Sequence, residues 1–221
     1  PYIVGIILLF IASSLMAQES SPETTNLTSE PAPSLESTFS ITLPMKDGFS
    51  LAARYYPGKK LADGIIVLHD CKSETSTYDE IGQMLNKQGY HSLVVDLRSF
   101  GKSITKDVSH RDIKLRAKDI VLYQQMLALI TAYWEEDVLT AFNYLRSKLD
   151  NTSGISFVAS GCSTPYAVST AEKMHVANMV LITPEMDFSS KERYKNLTDI
   201  PTYFIDSIHS IDTYQTSREL F

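Results

Sequence analysis

The stretch Gly64-Ile65-Ile66-Val67-Leu68-His69 is an unbroken apolar run up to its terminal histidine, bounded by polar residues. A strand with one wet face alternates polar and apolar residues, so a continuous β-branched run reads as a strand covered on both faces. Upstream, residues 39–43 alternate, Met45-Lys46-Asp47-Gly48 supplies a turn and residues 49–56 resume the extended pattern, which predicts a β-hairpin. Downstream, residues 78–88 have helical spacing through Ile81, Met84 and Leu85 and stop at Gly89. Residues 92–95 form the next apolar strand. Residues 113–149 are helical in character with a break near 131–135, and Val138, Ala141, Phe142 and Leu145 form an apolar stripe. A strand at 155–159, a helix at 166–174, strands at 179–182 and 202–205 and a helix from Thr213 complete the series. Strands alternating with helices after an opening hairpin predict an α/β fold, with a mostly parallel sheet, an N-terminal antiparallel hairpin and helices on both faces.

The 221 residues are 43% hydrophobic and 10% aromatic, enough to bury a core and too much for a disordered chain. A net charge of −6 without a Lys/Arg-rich block excludes a nucleic-acid-binding surface as an expectation. Two cysteines, with no Cys-x-x-Cys or His-x-x-x-His spacing, offer no start for a structural metal site, and neither a metal nor a cofactor is expected.

Residues 2–17 carry no charge, and residues 3–12 are nearly all apolar, followed by Ser13-Ser14-Leu15-Met16-Ala17. Residues 1–17 read as a signal peptide, with a membrane anchor as the alternative if the segment is not cleaved. Residues 18–37, rich in Ser, Thr, Pro and Glu, read as a disordered linker, and 38–221 as a single domain. The expected location is secreted or periplasmic, or membrane-anchored through the uncleaved leader. Asn26, Asn151 and Asn196 head matches to the glycosylation pattern, relevant only to a eukaryotic secretory route.

Several motifs in this order resemble the α/β-hydrolase superfamily, in particular its small secreted esterase and dienelactone-hydrolase-like members. Asp47-Gly48-Phe49-Ser50-Leu51 followed by Tyr56-Pro57 resembles the opening hairpin of that family, and Val67-Leu68-His69-Asp70-Cys71 a strand ending in His-Gly. Asp96-Leu97-Arg98-Ser99-Phe100-Gly101-Lys102-Ser103 is similar to the family loop Asp-x-Arg-Gly-x-Gly-x-Ser, and residues 137–145 resemble the helix before the nucleophile strand. The resemblance covers residues 39–221. It implies an α/β-hydrolase fold, with the last strand and helix expected beyond Phe221, and hydrolysis of carboxylic esters or related acyl substrates.

That chemistry places a nucleophile on a tight strand-to-helix turn, G-x-S-x-G. The matching register here is Ala159-Ser160-Gly161-Cys162-Ser163, which keeps the small flanks and puts Gly161 at the nucleophile position. Shifting the register by one makes Cys162 an alternative thiol nucleophile, and Ser160 is a weaker candidate. At the family's acid position stands Ser210, with Asp206 and Asp212 nearby and Asp187 after the preceding strand. None of His69, His91, His110, His175 and His209 falls where the family base is expected, and His69 reads as a structural strand-end residue. The resemblance further implies that the oxyanion-hole positions are the backbone N–H groups of Cys71 and Cys162. Two such positions meet at one place, which makes a Cys71–Cys162 disulfide one expectation, beside two unpaired buried cysteines and a catalytic Cys162.

Residues 122–134 read as an amphipathic core helix, or as a lid or apolar binding surface. The functional expectation is a catalytically degenerate hydrolase-fold protein that binds a small apolar or acyl ligand or a protein partner. The alternative is an active ester hydrolase using Cys162 or a displaced serine. Oligomeric state is not legible.

Overall fold

The structure is a computed structural model and describes residues 38–73, 75–104 and 109–221. The expected leader and linker lie outside the described residues. Strands β1 (Phe39–Pro44), β2 (Ser50–Tyr56), β3 (Gly64–Leu68), β4 (His91–Val95), β5 (Ile155–Ser160), β6 (Met179–Ile182) and β7 (Thr202–Ile205) form one sheet in the order β1-β2-β4-β3-β5-β6-β7. β1 with β2 and β2 with β4 pair antiparallel; every later pair is parallel. The helices are α1 (Ser76–Lys87), α2 (His110–Arg116), α3 (Ile120–Thr131), α4 (Trp134–Arg146), α5 (Thr164–Lys173), α6 (Phe188–Lys195) and α7 (Ile211–Leu220).

All residues of β3, β4 and β5 are buried, as the unbroken apolar run of β3 requires of a strand covered on both faces; β4 and β5 bury His91, Ser92, Ser156 and Ser160 as well. α4 buries Trp134, Val138, Ala141, Phe142 and Leu145 against the sheet, the stripe legible in the sequence. The helical stretch expected over 113–149 is interrupted twice. The break before Trp134 is the expected one. A second, at residues 117–119, arises because Ala117 is extended and Asp119, also extended, caps α3 by accepting the Leu122 N–H at 2.8 Å. α6 was not expected: none of its side chains is buried, so it leaves no apolar period, and its only sequence signal is Asp187 accepting the Ser190 N–H at 2.7 Å.

The loop after β4 is built on two buried carboxylates. Arg54 of β2 forms a two-pronged pair with Asp96, at 3.0 and 2.9 Å, and Asp96 also accepts the Lys102 N–H at 2.9 Å. Gly101 has φ +51°, and a Cβ there would fall 2.3 Å from the Asp96 carboxylate, so this turn requires glycine. Arg98 donates from Nε to both oxygens of Asp137, pairs with Asp47 of the β1–β2 turn and lies between the rings of Phe49 and Tyr133, 4.4 and 4.5 Å from their centroids. The motif that resembled a family signature is therefore a structural clamp joining the hairpin, the sheet and α4.

Candidate functional site

β3, β5, β6 and β7 all point their C-terminal ends the same way, and the loops leaving them gather residues 69–73, 161–163, 183–187 and 206–212 at one edge of the sheet. Ligand sites of open parallel sheets form at this edge. A cleft of about 820 Å³ opens there, with Asp70, Lys72, Glu185, Asp187, His209 and Asp212 among its walls.

At the elbow, β5 ends at Ser160, Gly161 takes φ +52° and a short 3-10 turn (Gly161–Ser163) leads into α5. This is the strand–turn–helix geometry that projects a side chain in a hydrolase, and here there is none to project. The space is also filled. A Cβ built on Gly161 would lie 2.8 Å from the Cβ of Asp70 and 3.8 Å from its Cγ. The Gly161 carbonyl is tied down by the Thr164 hydroxyl at 2.7 Å and the Glu185 N–H at 3.2 Å.

Asp70 is held in that position by its own turn. Its Oδ1 accepts the Lys72 and Ser73 N–H groups at 2.7 and 2.5 Å, the hydrogen-bonding habit that suits aspartate to turns. Its own N–H donates to the Tyr78 hydroxyl at 3.2 Å. Lys72 then reaches across the cleft to pair with Glu185, linking the loops after β3 and β6, and this pairing holds the Lys72 ammonium above its ordinary pKa.

Cys71 and Cys162 form a disulfide, with Cα atoms 5.8 Å apart across 91 positions of sequence. The catalytic role considered for Cys162 is corrected by this bond: a sulfur joined to Cys71 is no thiolate nucleophile. Ser160 is buried; its main-chain carbonyl accepts from the Ser163 hydroxyl at 2.9 Å and its N–H donates to the same oxygen at 3.2 Å. Ser210 is exposed at the N-cap of α7, and its carbonyl accepts from the Thr213 hydroxyl. Asp212, two residues further, is exposed on the cleft wall. Asp206 is committed to α7, accepting from Ser207 N–H, Thr213 Oγ1 and Ser217 Oγ at 2.8, 2.8 and 2.7 Å. Asp187 caps α6, and the Ser190 hydrogen bonds hold its carboxyl below the usual range.

His69 is fully buried behind the cleft. Leu97 N–H donates to its Nε2 at 3.1 Å, so the proton sits on Nδ1, which donates to the Asp70 carbonyl at 2.7 Å. Burial pushes its pKa down. It therefore joins the ends of β3 and β4 as a neutral ring. Sequence reasoning registered Asp70 only as a departure from His-Gly, and missed Lys72 and Glu185. Asp70 followed by Lys72-Ser73 was the available turn signal; no sequence pattern announces the ion pair, whose partners are 113 positions apart.

No family model matches the chain, and no curated protein matches it by sequence. Among solved structures it is similar to a dienelactone hydrolase from Anabaena variabilis, with 12% identity, a TM-score of 0.61 and coverage of 83% of this chain and 79% of that one. It is similar to an esterase from Pyrococcus furiosus at 12% identity and TM-score 0.58, covering 92% and 86% of the two chains. It also resembles DcsB in complex with its substrate analogue, at 17% identity and TM-score 0.52, over 73% of this chain and 51% of DcsB, so it spans about half the length of that protein. The strand order, the elbow after β5 and the likeness to these hydrolases agree: the chain has the α/β-hydrolase fold.

Proposed function

We propose that this is an exported α/β-hydrolase-fold protein that does not carry out serine-dependent ester hydrolysis and works by binding a small molecule in the cleft at the strand ends. The observation that carries the reading is the filled elbow: Gly161 supplies no nucleophile, and the Asp70 Cβ stands 2.8 Å from where its side chain would begin. Acyl transfer by this fold needs an attacking atom at that point. The disulfide supports the same reading, since it removes Cys162 as a thiol nucleophile, and it favours an oxidising compartment. Among the described residues no helix is long and apolar enough to cross a membrane.

The cleft walls carry four carboxylates, Asp70, Glu185, Asp187 and Asp212, beside Lys72 and His209. Such a lining suits a polar or cationic ligand better than the small apolar or acyl ligand expected from the sequence. The test has two arms on the full, non-reduced chain. Short-chain aryl esters should be hydrolysed no faster than in buffer, and a panel of small amines and polyols should contain compounds that raise the melting temperature of the wild type and not of Asp212→Ala with Glu185→Ala. Ester turnover well above the buffer rate contradicts the first half; stabilisation that survives both substitutions contradicts the second.

A further inference from the structure

α3 is the anomaly of the fold. Residues 120–134 contain no charge, yet of the twelve residues of α3 only Ile130 is buried. Ile120 is 65% exposed, Val121 57% and Leu129 71%, and Leu115 at the end of α2 is 74% exposed. Its exposed side carries Gln124 and Gln125 as well, so the surface is mixed, with Ile120, Val121 and Leu129 as its apolar part. Between α3 and the clamp around Arg98 lies an apolar pocket of about 270 Å³, rimmed by Met126, Leu129, Ile130 and Tyr133.

The flanking charge complements one kind of partner. Arg111, Lys114, Arg116 and Lys118 are all exposed, four basic residues within eight positions, interspersed with Asp112 and so not read as a basic block in the sequence, of a chain whose net charge is −6. The two acids in the same segment are turned to local use: Asp112 exchanges hydrogen bonds with the Ser109 hydroxyl and Asp119 caps α3. Among the described residues none of the four basic side chains has an ion-pair partner. α3 itself, at 12 residues or about 18 Å, is too short to span a bilayer and long enough to lie in its interface.

From this juxtaposition we infer that the α2–α3 corner is an interfacial docking surface for an anionic lipid bilayer, with Leu115, Ile120, Val121 and Leu129 entering the headgroup boundary and Arg111, Lys114, Arg116 and Lys118 meeting the lipid charge. Apolar burial and headgroup attraction act together in such anchors, and each basic residue near the surface adds to the partition. Docking there is independent of the cleft at the strand ends and does not require any chemistry at Gly161.

The test labels the full chain with a polarity-sensitive dye at Val121→Cys, the native cysteines being joined to each other. The local reporter separates α3 from any contribution of the N-terminal apolar segment. The dye should shift to the blue on vesicles of phosphatidylcholine and phosphatidylglycerol at 7:3 and not on phosphatidylcholine alone. Lys114→Ala, Arg116→Ala and Lys118→Ala combined should weaken the partition at least about tenfold, and Ile120→Glu, an exposed position, should abolish it with the circular dichroism unchanged. The proposal is overturned if anionic vesicles give no shift, if the triple variant shifts like the parent, or if the same shift appears with rising protein concentration in the absence of vesicles, which would assign the face to a second copy of the chain.

Discussion

A Cβ on Gly161 would stand 2.8 Å from the Cβ of Asp70, closer than such atoms approach in folded proteins. Gly161 and Asp70, the two positions where the sequence departs from the hydrolase pattern, thus share the same space.

Gly161→Ala should destabilise the domain by about 2–4 kcal/mol, from the left-handed backbone at φ +52° together with the collision. In an Asp70→Gly background the same substitution should cost about 1–2 kcal/mol less. A double-mutant cycle in guanidinium chloride measures the difference, and strict additivity would refute the shared-space account. Gly161→Ser alone should gain no esterase turnover.

Replacing both cysteines by serine should lower the stability by about 2–4 kcal/mol, because the bond closes a long loop in the unfolded chain. Denaturant midpoints of the double variant and the parent check this. Two freely alkylated thiols on denatured, non-reduced parent protein would show that the bond does not form.

Ser99 holds φ +76°, a conformation that suits glycine, and stands where the family loop has one. Ser99→Gly should stabilise the domain by about 0.5–1 kcal/mol, less whatever backbone freedom glycine adds to the unfolded chain. A fall in the melting temperature would mean that the serine side chain contributes more than its backbone costs.

His69, His91 and His110 all have pKa values lowered chiefly by burial. A histidine whose folded pKa lies below its unfolded value takes up its proton more readily when unfolded, so its stabilising contribution is present above about pH 6.5 and is lost as the pH falls below it. Stability should drop by about 1 kcal/mol between pH 7 and 6. Asp137, pushed up by burial to about 6, acts in the opposite direction and mainly below this window. The midpoint of denaturant unfolding at the two pH values is the check, and a flat response would contradict the neutral ring assigned to His69.

Much of this architecture was legible because burial leaves a period in the sequence. β6 spans its apolar run at 179–182, and α4 falls where Val138, Ala141, Phe142 and Leu145 recur. α6 left no such trace, since none of its side chains is fully buried. The second break in the long helical stretch was hidden in Asp119, whose capping role depends on backbone geometry at Ala117. At the site, the resemblance put Gly161 at the elbow and offered the Cys71–Cys162 disulfide as one of three alternatives, the one the structure contains. The position of Asp70 over Gly161 and the Lys72–Glu185 pair could not, because both depend on loops that meet only after the sheet has formed.

The most direct measurement of the central claim is the intact mass of the full, non-reduced chain after incubation with a fluorophosphonate probe, followed by peptide mapping. The filled elbow predicts an unmodified chain, including at the buried Ser160 and Ser163. A stoichiometric adduct on either serine, or elsewhere on the cleft wall, would show an activated nucleophile and contradict the account.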